Sequence, residues 1–270
     1  MDPAGGAAQP LGGGRRRLRV LCLHSWRTSG AIFKEQFERA GLGQALEDLV
    51  EMVFVDAPNR ARGKAPPDVA AAFPGRDYYE WFSTEGAEEN LAEFRLTYHG
   101  LENSEPFVEK IIMERGPFDG IIGFSQGAIM AAAVAAMQRG GGALQGAPRL
   151  RFACLFGAAF SEHPRHLEAF KNGRVDLPTV HIIGHKDFIK EHSITLVRKF
   201  ANPIVIFHPR GHVIPRLEGP QLAVLRAFFS AMLQEGGGSG APAPAPAPAP
   251  ALAPAAAPRA PPAGRPASKL

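Results

Sequence analysis

Between residues 18 and 233 the chain alternates two hydrophobic patterns. Short apolar runs without a polar face occur at 18–23, 52–56, 119–123, 151–156, 179–184 and 204–208. Continuous runs of this length fit strands buried on both sides; a half-exposed sheet would alternate apolar and polar positions. Between them lie longer stretches with helical spacing of apolar residues, at 32–49, 104–114, 126–138, 191–200 and 221–233. Ser104-Glu105-Pro106 supplies the hydroxyl, the acid and the early proline expected at a helix start. Repeated strand–helix units predict an α/β fold, a mostly parallel sheet of about six strands with helices on both faces. Two stretches resist the pattern, a long insertion at 57–101 and a shorter one at 157–177.

Composition separates this patterned region from its flanks. Of the 30 glycines and 25 prolines, many fall in 1–14 and 236–270, segments built almost entirely from Gly, Ala and Pro. Neither has enough apolar content to offset the entropy of ordering. The expected organisation is a disordered Gly/Arg-rich segment over 1–17, one domain over 18–235, and a disordered Ala/Pro-rich tail over 236–270. The formal charge of +4 invites a nucleic-acid partner, but Arg15, Arg16, Arg17, Arg259, Arg265, Lys269 and Asp2 all lie in the flanks. Setting them aside leaves 24 basic and 25 acidic residues, a net charge near −1, and no nucleic-acid partner is expected. Arg15 to Arg17 read as a solvated charge run. No run of about 18 apolar residues suggests a membrane span. The arginine triplet ahead of Leu18 lacks the long apolar run and small-residue cleavage site of a signal peptide. Cys22 and Cys154 sit in strand-like runs without the spacing of a disulfide framework or metal site, so no metal is expected and a reduced, intracellular compartment fits.

The candidate chemistry centres on Gly123-Phe124-Ser125-Gln126-Gly127, which follows one apolar run and opens a helical stretch rich in small residues. That is the strand–turn–helix setting of a nucleophile elbow, where a sharp turn lifts a serine oxygen above the sheet and flanking glycines admit neighbouring backbone. A serine nucleophile needs a base, and the base needs an acid to orient it. Gly184-His185-Lys186-Asp187 follows the fifth strand and Arg210-Gly211-His212 the sixth, so Ser, acid and His occur in the order this arrangement requires. The reading assigns Ser125 as nucleophile, His212 as general base and acid, and Asp187 as the group that orients the imidazole. His208 competes as base but ends a strand, His185 shares the acid's loop, Asp56 is a distant alternative acid, and Asp119 starts a strand at the far edge. The backbone N–H groups of Trp26, in the loop after the first strand, and Gln126 are the expected oxyanion donors.

Four segments in register carry a resemblance: Leu21-Cys22-Leu23-His24, residues 116–127, His181-Ile182-Ile183-Gly184-His185-Lys186-Asp187, and His208-Pro209-Arg210-Gly211-His212-Val213-Ile214-Pro215. They resemble the FSH family (the family of serine hydrolases) within the α/β-hydrolases. The resemblance implies an α/β-hydrolase fold, a triad on Ser125, Asp187 and His212, and hydrolysis of a small-molecule ester or thioester without a cofactor. An acyl-CoA or acyl-carrier thioesterase, or a non-hydrolytic small-molecule sensor, are alternatives on the same fold. Where the family's first loop usually reads His-Gly, this chain has His24-Ser25, and a Cβ there is expected to restrict the dihedrals that aim the Trp26 N–H. Phe73, Tyr78, Tyr79, Trp81, Phe82, Phe94 and Tyr98 cluster in the long insertion and suit either an apolar acyl pocket or a satellite core. Ser268-Lys269-Leu270 matches a peroxisomal import tripeptide, so an import receptor is an expected partner and the peroxisome the expected location, with cytoplasm or nucleus as the alternative.

Overall fold

The computed structural model describes residues 16–85, 97–140, 144 and 146–235. The expectations for 1–15, Phe94, the tail and its terminal tripeptide lie outside these residues. Along the described chain the elements are β1 (Leu18–Leu23), α1 (Gly30–Arg39), α2 (Leu42–Leu46), β2 (Val50–Val55), β3 (Asn59–Arg60), α3 (Pro67–Ala72), β4 (Tyr79–Glu80), β5 (Ser83–Glu85), β6 (Thr97–His99), α4 (Leu101–Arg115), β7 (Gly120–Phe124), α5 (Gln126–Gly140), β8 (Phe152–Phe156), α6 (Pro164–Ala169), β9 (Thr179–Gly184), α7 (Lys190–Val197), β10 (Pro203–His208) and α8 (Gly219–Glu235).

Six strands form one sheet in the order β10-β9-β8-β7-β1-β2, and every pairing is parallel. The chain runs from β1 out to β2, then returns to the other side of β1 and continues outward from β7. The order therefore reverses between β1 and β7, and the crevice above their carboxyl ends is where open α/β sheets place their ligands. Alternation within each strand divides the core. Val20, Cys22, Ile122 and Phe124 face Phe33 and Phe37 of α1 and Leu225 and Phe229 of α8. Leu21, Leu23 and Ile121 face α4 and the alanine-rich α5. The small residues of α5 let it approach closely: a Cβ on Gly127 would lie 2.1 Å from Leu23 O. Cys22 and Cys154 are unpaired and buried, and burial pushes both thiols well above their ordinary pKa.

The differences from expectation are local. The helix expected over 32–49 is two helices, broken where Gly41 adopts a left-handed φ of 72°. The second strand starts two residues early, and the third expected strand is shifted by one residue to Gly120–Phe124. Ser104 does not cap α4. The helix begins three residues earlier, after Gly100 at φ 91°, and the buried Ser104 hydroxyl donates to Trp81 O at 2.5 Å instead. The long insertion contains two small antiparallel ribbons, β3-β4 and β5-β6, besides α3. No helix among the described residues is long and apolar enough to cross a membrane.

Candidate active site

Ser125 sits between β7 and α5 with φ at 53°, a left-handed value that a residue with a Cβ rarely takes. Neighbouring glycines make the turn feasible: a Cβ on Gly123 would meet Gly127 O at 2.4 Å. From the loop after β10, three strands away, His212 Nε2 lies 2.8 Å from Ser125 Oγ, and His212 Nδ1 lies 2.9 Å from Asp187 Oδ2 in the loop after β9. Asp187 Oδ1 accepts the Ile189 N–H at 2.9 Å. Burial works to raise the Asp187 pKa, but the hydrogen bonds from His212 and Ile189, with the nearby imidazoles, outweigh it and hold the carboxyl below its ordinary value. The imidazole is held between two rings, Phe124 at 5.0 Å and Phe188 at 4.8 Å between centroids. The structure thus brings together the serine, acid and histidine chosen from strand-end position.

The competing residues fall elsewhere. Asp56 Oδ1 accepts the Gly30 N–H at 2.7 Å, placing its charge at the start of α1. His208 is buried beneath the acid's loop, with its pKa lowered by burial; an added Cβ on Gly184 would meet it at 3.1 Å. His185 stacks on Phe207 at 5.1 Å, and Asp119 lies at the amino ends of the strands.

The loop after β1 is braced by residues whose roles the sequence did not disclose. His24 Nε2 accepts the Ala57 N–H at 2.9 Å, so the ring proton is on Nδ1, which donates to Ser25 O at 2.7 Å. Burial lowers the pKa of His24 to about 4, which keeps the ring neutral. The Trp81 indole N–H donates to His24 O at 2.8 Å, and the Thr28 hydroxyl to Ser25 O at 2.7 Å. Left-handed backbone occurs at Arg27, φ 49°, and not at Ser25, so the Ser25 Cβ does not strain the loop as expected. The N–H groups of Trp26 and Gln126 have no hydrogen-bond partner among the described residues. Both residues line one 290 Å³ cleft with Arg27, Phe82, Ser83 and Thr84. The Trp26 ring is 38% exposed, with the Arg27 guanidinium stacked 4.2 Å from its centroid.

The insertion's aromatics divide. Trp81 and Phe73 are buried, and the Tyr78 hydroxyl donates to Phe73 O at 2.8 Å; of the cluster, Phe82 lines the cleft. The Gln126 side chain fastens this segment to the elbow: its oxygen accepts the Trp81 N–H at 2.8 Å and its nitrogen donates to Phe82 O at 2.6 Å. A second, buried chain of similar composition runs from Ser161 Oγ to His166 Nδ1 at 2.7 Å and from His166 Nε2 to Glu105 Oε1 at 3.1 Å. His163 is near enough to join His166 and Glu105 in a metal-sized group. Arg165 pairs with Glu105 at 2.8 Å, and the chain ties α6 to α4. Ser161 lacks the strained turn and the access of Ser125.

A parallel sheet carrying a strained serine at a strand–helix turn, with an acid and a histidine from later strand ends, defines an α/β-hydrolase. Comparison with known proteins agrees. The model of the serine hydrolase (FSH1) family matches residues 15–222, and the chain belongs to that family. It is a serine hydrolase, and several of its curated relatives carry the name esterase. Among curated relatives, Esterase OVCA2 of Bos taurus is 33% identical over 229 residues, 82% of this chain and 96% of the relative. Rhodanese-like domain-containing protein 6 of Arabidopsis thaliana is 30% identical over 235 residues, and a dihydrofolate reductase of Schizosaccharomyces pombe is 30% identical over 232. These matches cover 79% and 81% of this chain but only 39% and 48% of those longer relatives. In solved structures the fold is shared with esterase PE8 (TM-score 0.53, 20% identity, 80% of this chain and 93% of that one). It is also shared with Zea mays acyl-protein thioesterase 2 (TM-score 0.51, 19% identity, 84% and 97%).

Proposed function

We propose that Ser125, His212 and Asp187 are the catalytic residues and that the enzyme cleaves small carboxylic esters or acyl thioesters through an acyl-enzyme. The observation that carries this is the hydrogen-bonded chain from Ser125 Oγ through His212 to Asp187 beside two N–H groups left open. As Ser125 Oγ attacks the carbonyl carbon, His212 Nε2 takes its proton, and Asp187 stabilises the imidazolium that forms. The Trp26 and Gln126 N–H groups hold the oxyanion, a contribution of several kcal/mol when such donors are preorganised. His212 then returns the proton to the departing alcohol or thiol. Water attacks the acyl-enzyme by the same route in reverse and releases the acid.

Phe188, 81% exposed beside His212, and the exposed Trp26 and Val213 give the approach an apolar rim suited to an acyl chain. A chain-length series of p-nitrophenyl esters set beside matched acyl-CoA thioesters tests the reading. Turnover should rise from acetyl toward medium chains and vanish with Ser125→Ala; no turnover of either series by folded enzyme would favour a non-hydrolytic sensor. Peroxisomal import by a receptor reading Ser268-Lys269-Leu270 is part of the proposal. Deleting the tripeptide should disperse a punctate fluorescent fusion, and unchanged puncta would dismiss the signal.

A further inference from the structure

Arg16 and Arg17, read from sequence as part of a solvated run, do not stand alone. Arg19, Arg115, Arg149 and Arg151 join them around a 610 Å³ cleft at the amino ends of the strands. The cleft is on the opposite edge of the sheet from Ser125. A five-residue strand separates the two, about 17 Å at 3.3 Å per residue. Its six guanidinium groups face two lining carboxylates, Glu114 and Asp119.

Much of the cleft is held in place before any ligand arrives. Asp119 Oδ1 lies 3.0 Å from both Arg16 and Arg151, and its Oδ2 accepts the Arg19 N–H at 3.0 Å. Arg151 also donates to Met232 O at 2.5 Å. The Arg19 guanidinium donates to Arg115 O, pairs with Glu51 at 3.3 Å and stacks 4.7 Å from the Phe118 ring. One carboxylate therefore serves two guanidiniums, and Glu114 is engaged by Lys110 at 3.9 Å. Arg115 and Arg149 are exposed and make no ion pair among the described residues. Arg17 also pairs with Glu51, at 4.0 Å, so the like charge left over in the cleft is that of Arg115 and Arg149, with two carboxylates shared among the other four guanidiniums.

We infer that this cleft binds a ligand carrying clustered phosphate groups. The guanidinium fork matches phosphate oxygens two at a time, and guanidiniums spread around a cleft of ligand size call for several phosphates rather than one. The chemistry is shared by a free organic polyphosphate and by a polyphosphorylated lipid headgroup. Preorganised groups lose little freedom on binding, so affinity should survive physiological salt.

Calorimetric titration of the full chain with inositol hexakisphosphate, near physiological salt, tests this. Single-site binding in the micromolar range is expected, with a raised melting temperature because the ligand binds the folded chain and not the unfolded one. Arg115→Glu with Arg149→Glu should weaken binding at least tenfold and leave p-nitrophenyl ester turnover unchanged. The milder Arg115→Gln, Arg149→Gln pair gives the same reading if charge reversal disturbs folding. Sedimentation with phosphatidylcholine vesicles containing phosphatidylinositol 4,5-bisphosphate separates the sources: vesicle capture lost in the double variant identifies a headgroup, and free binding without capture identifies a soluble ligand. No saturable binding of either probe overturns the inference. So does binding that both variant pairs leave intact, or equal affinity for a single-stranded oligonucleotide of the same charge.

Discussion

At Gly157 an added Cβ would lie 3.0 Å from both His212 Cε1 and Nδ1 and 3.1 Å from Asp187 Oδ2, on a backbone whose φ is +50°. The absence of a side chain there leaves room for the imidazole–carboxylate pair. Gly157→Ala should lower kcat at least tenfold while costing about 1 kcal/mol of stability from backbone strain, measured by ester turnover beside thermal unfolding. Full activity in the variant would show that the pair has slack. Residues of the proposed triad were legible because chain order and strand-end position restrict them. Gly157 was not legible, because what it avoids is the pair formed by Asp187 and His212, 30 and 55 residues away in the chain. His24 was quoted in a motif, yet its bracing role depends on Ala57, which sequence spacing does not bring near.

Among the elements, the six strands and their parallel arrangement were legible as continuous apolar runs, with boundaries shifted by a residue or two. The insertion was not, because its order comes from contacts outside itself. The Gln126 side chain, the Ser104 hydroxyl and the Asn59 amide, 3.1 Å from both Trp81 O and Gly100 O, tie its backbone to α4 and the elbow. The same use of Ser104 explains why a cap-like motif lies inside a helix. Gln126→Ala keeps the backbone N–H but strips partners from Trp81 N and Phe82 O, at about 1–3 kcal/mol for each group left unsatisfied. The expected result is a lower melting temperature and a raised KM, with kcat less affected than in Gly157→Ala. Unchanged melting and KM would mean that the insertion is held without Gln126.

For the molecule as a whole, buried neutral histidines set how stability varies with pH. His24 and His181 are lowered by burial from 6.5 to about 4 and about 3. Below pH 6.5 the unfolded chain takes up protons that the folded chain refuses. Their contribution is complete above about pH 6.5 and is lost as pH falls toward 4 and 3, at up to about 1.4 kcal/mol per pH unit for each. His163 and His208, also held low chiefly by burial, add to the slope. Asp187, held below 3.8, adds to the loss only in stronger acid. Urea unfolding between about pH 7 and pH 4 should show a steep fall in stability; a flat profile would mean that these rings protonate in place.

The proposed chemistry makes one serine, Ser125, the nucleophile. Labelling the folded enzyme with a fluorophosphonate, followed by peptide mass mapping, tests it most directly. Modification at Ser125 alone is expected, absent in Ser125→Ala and at least a thousandfold slower in His212→Ala. Modification of Ser161, or labelling that persists in Ser125→Ala, would mean that Ser125 is not the nucleophile.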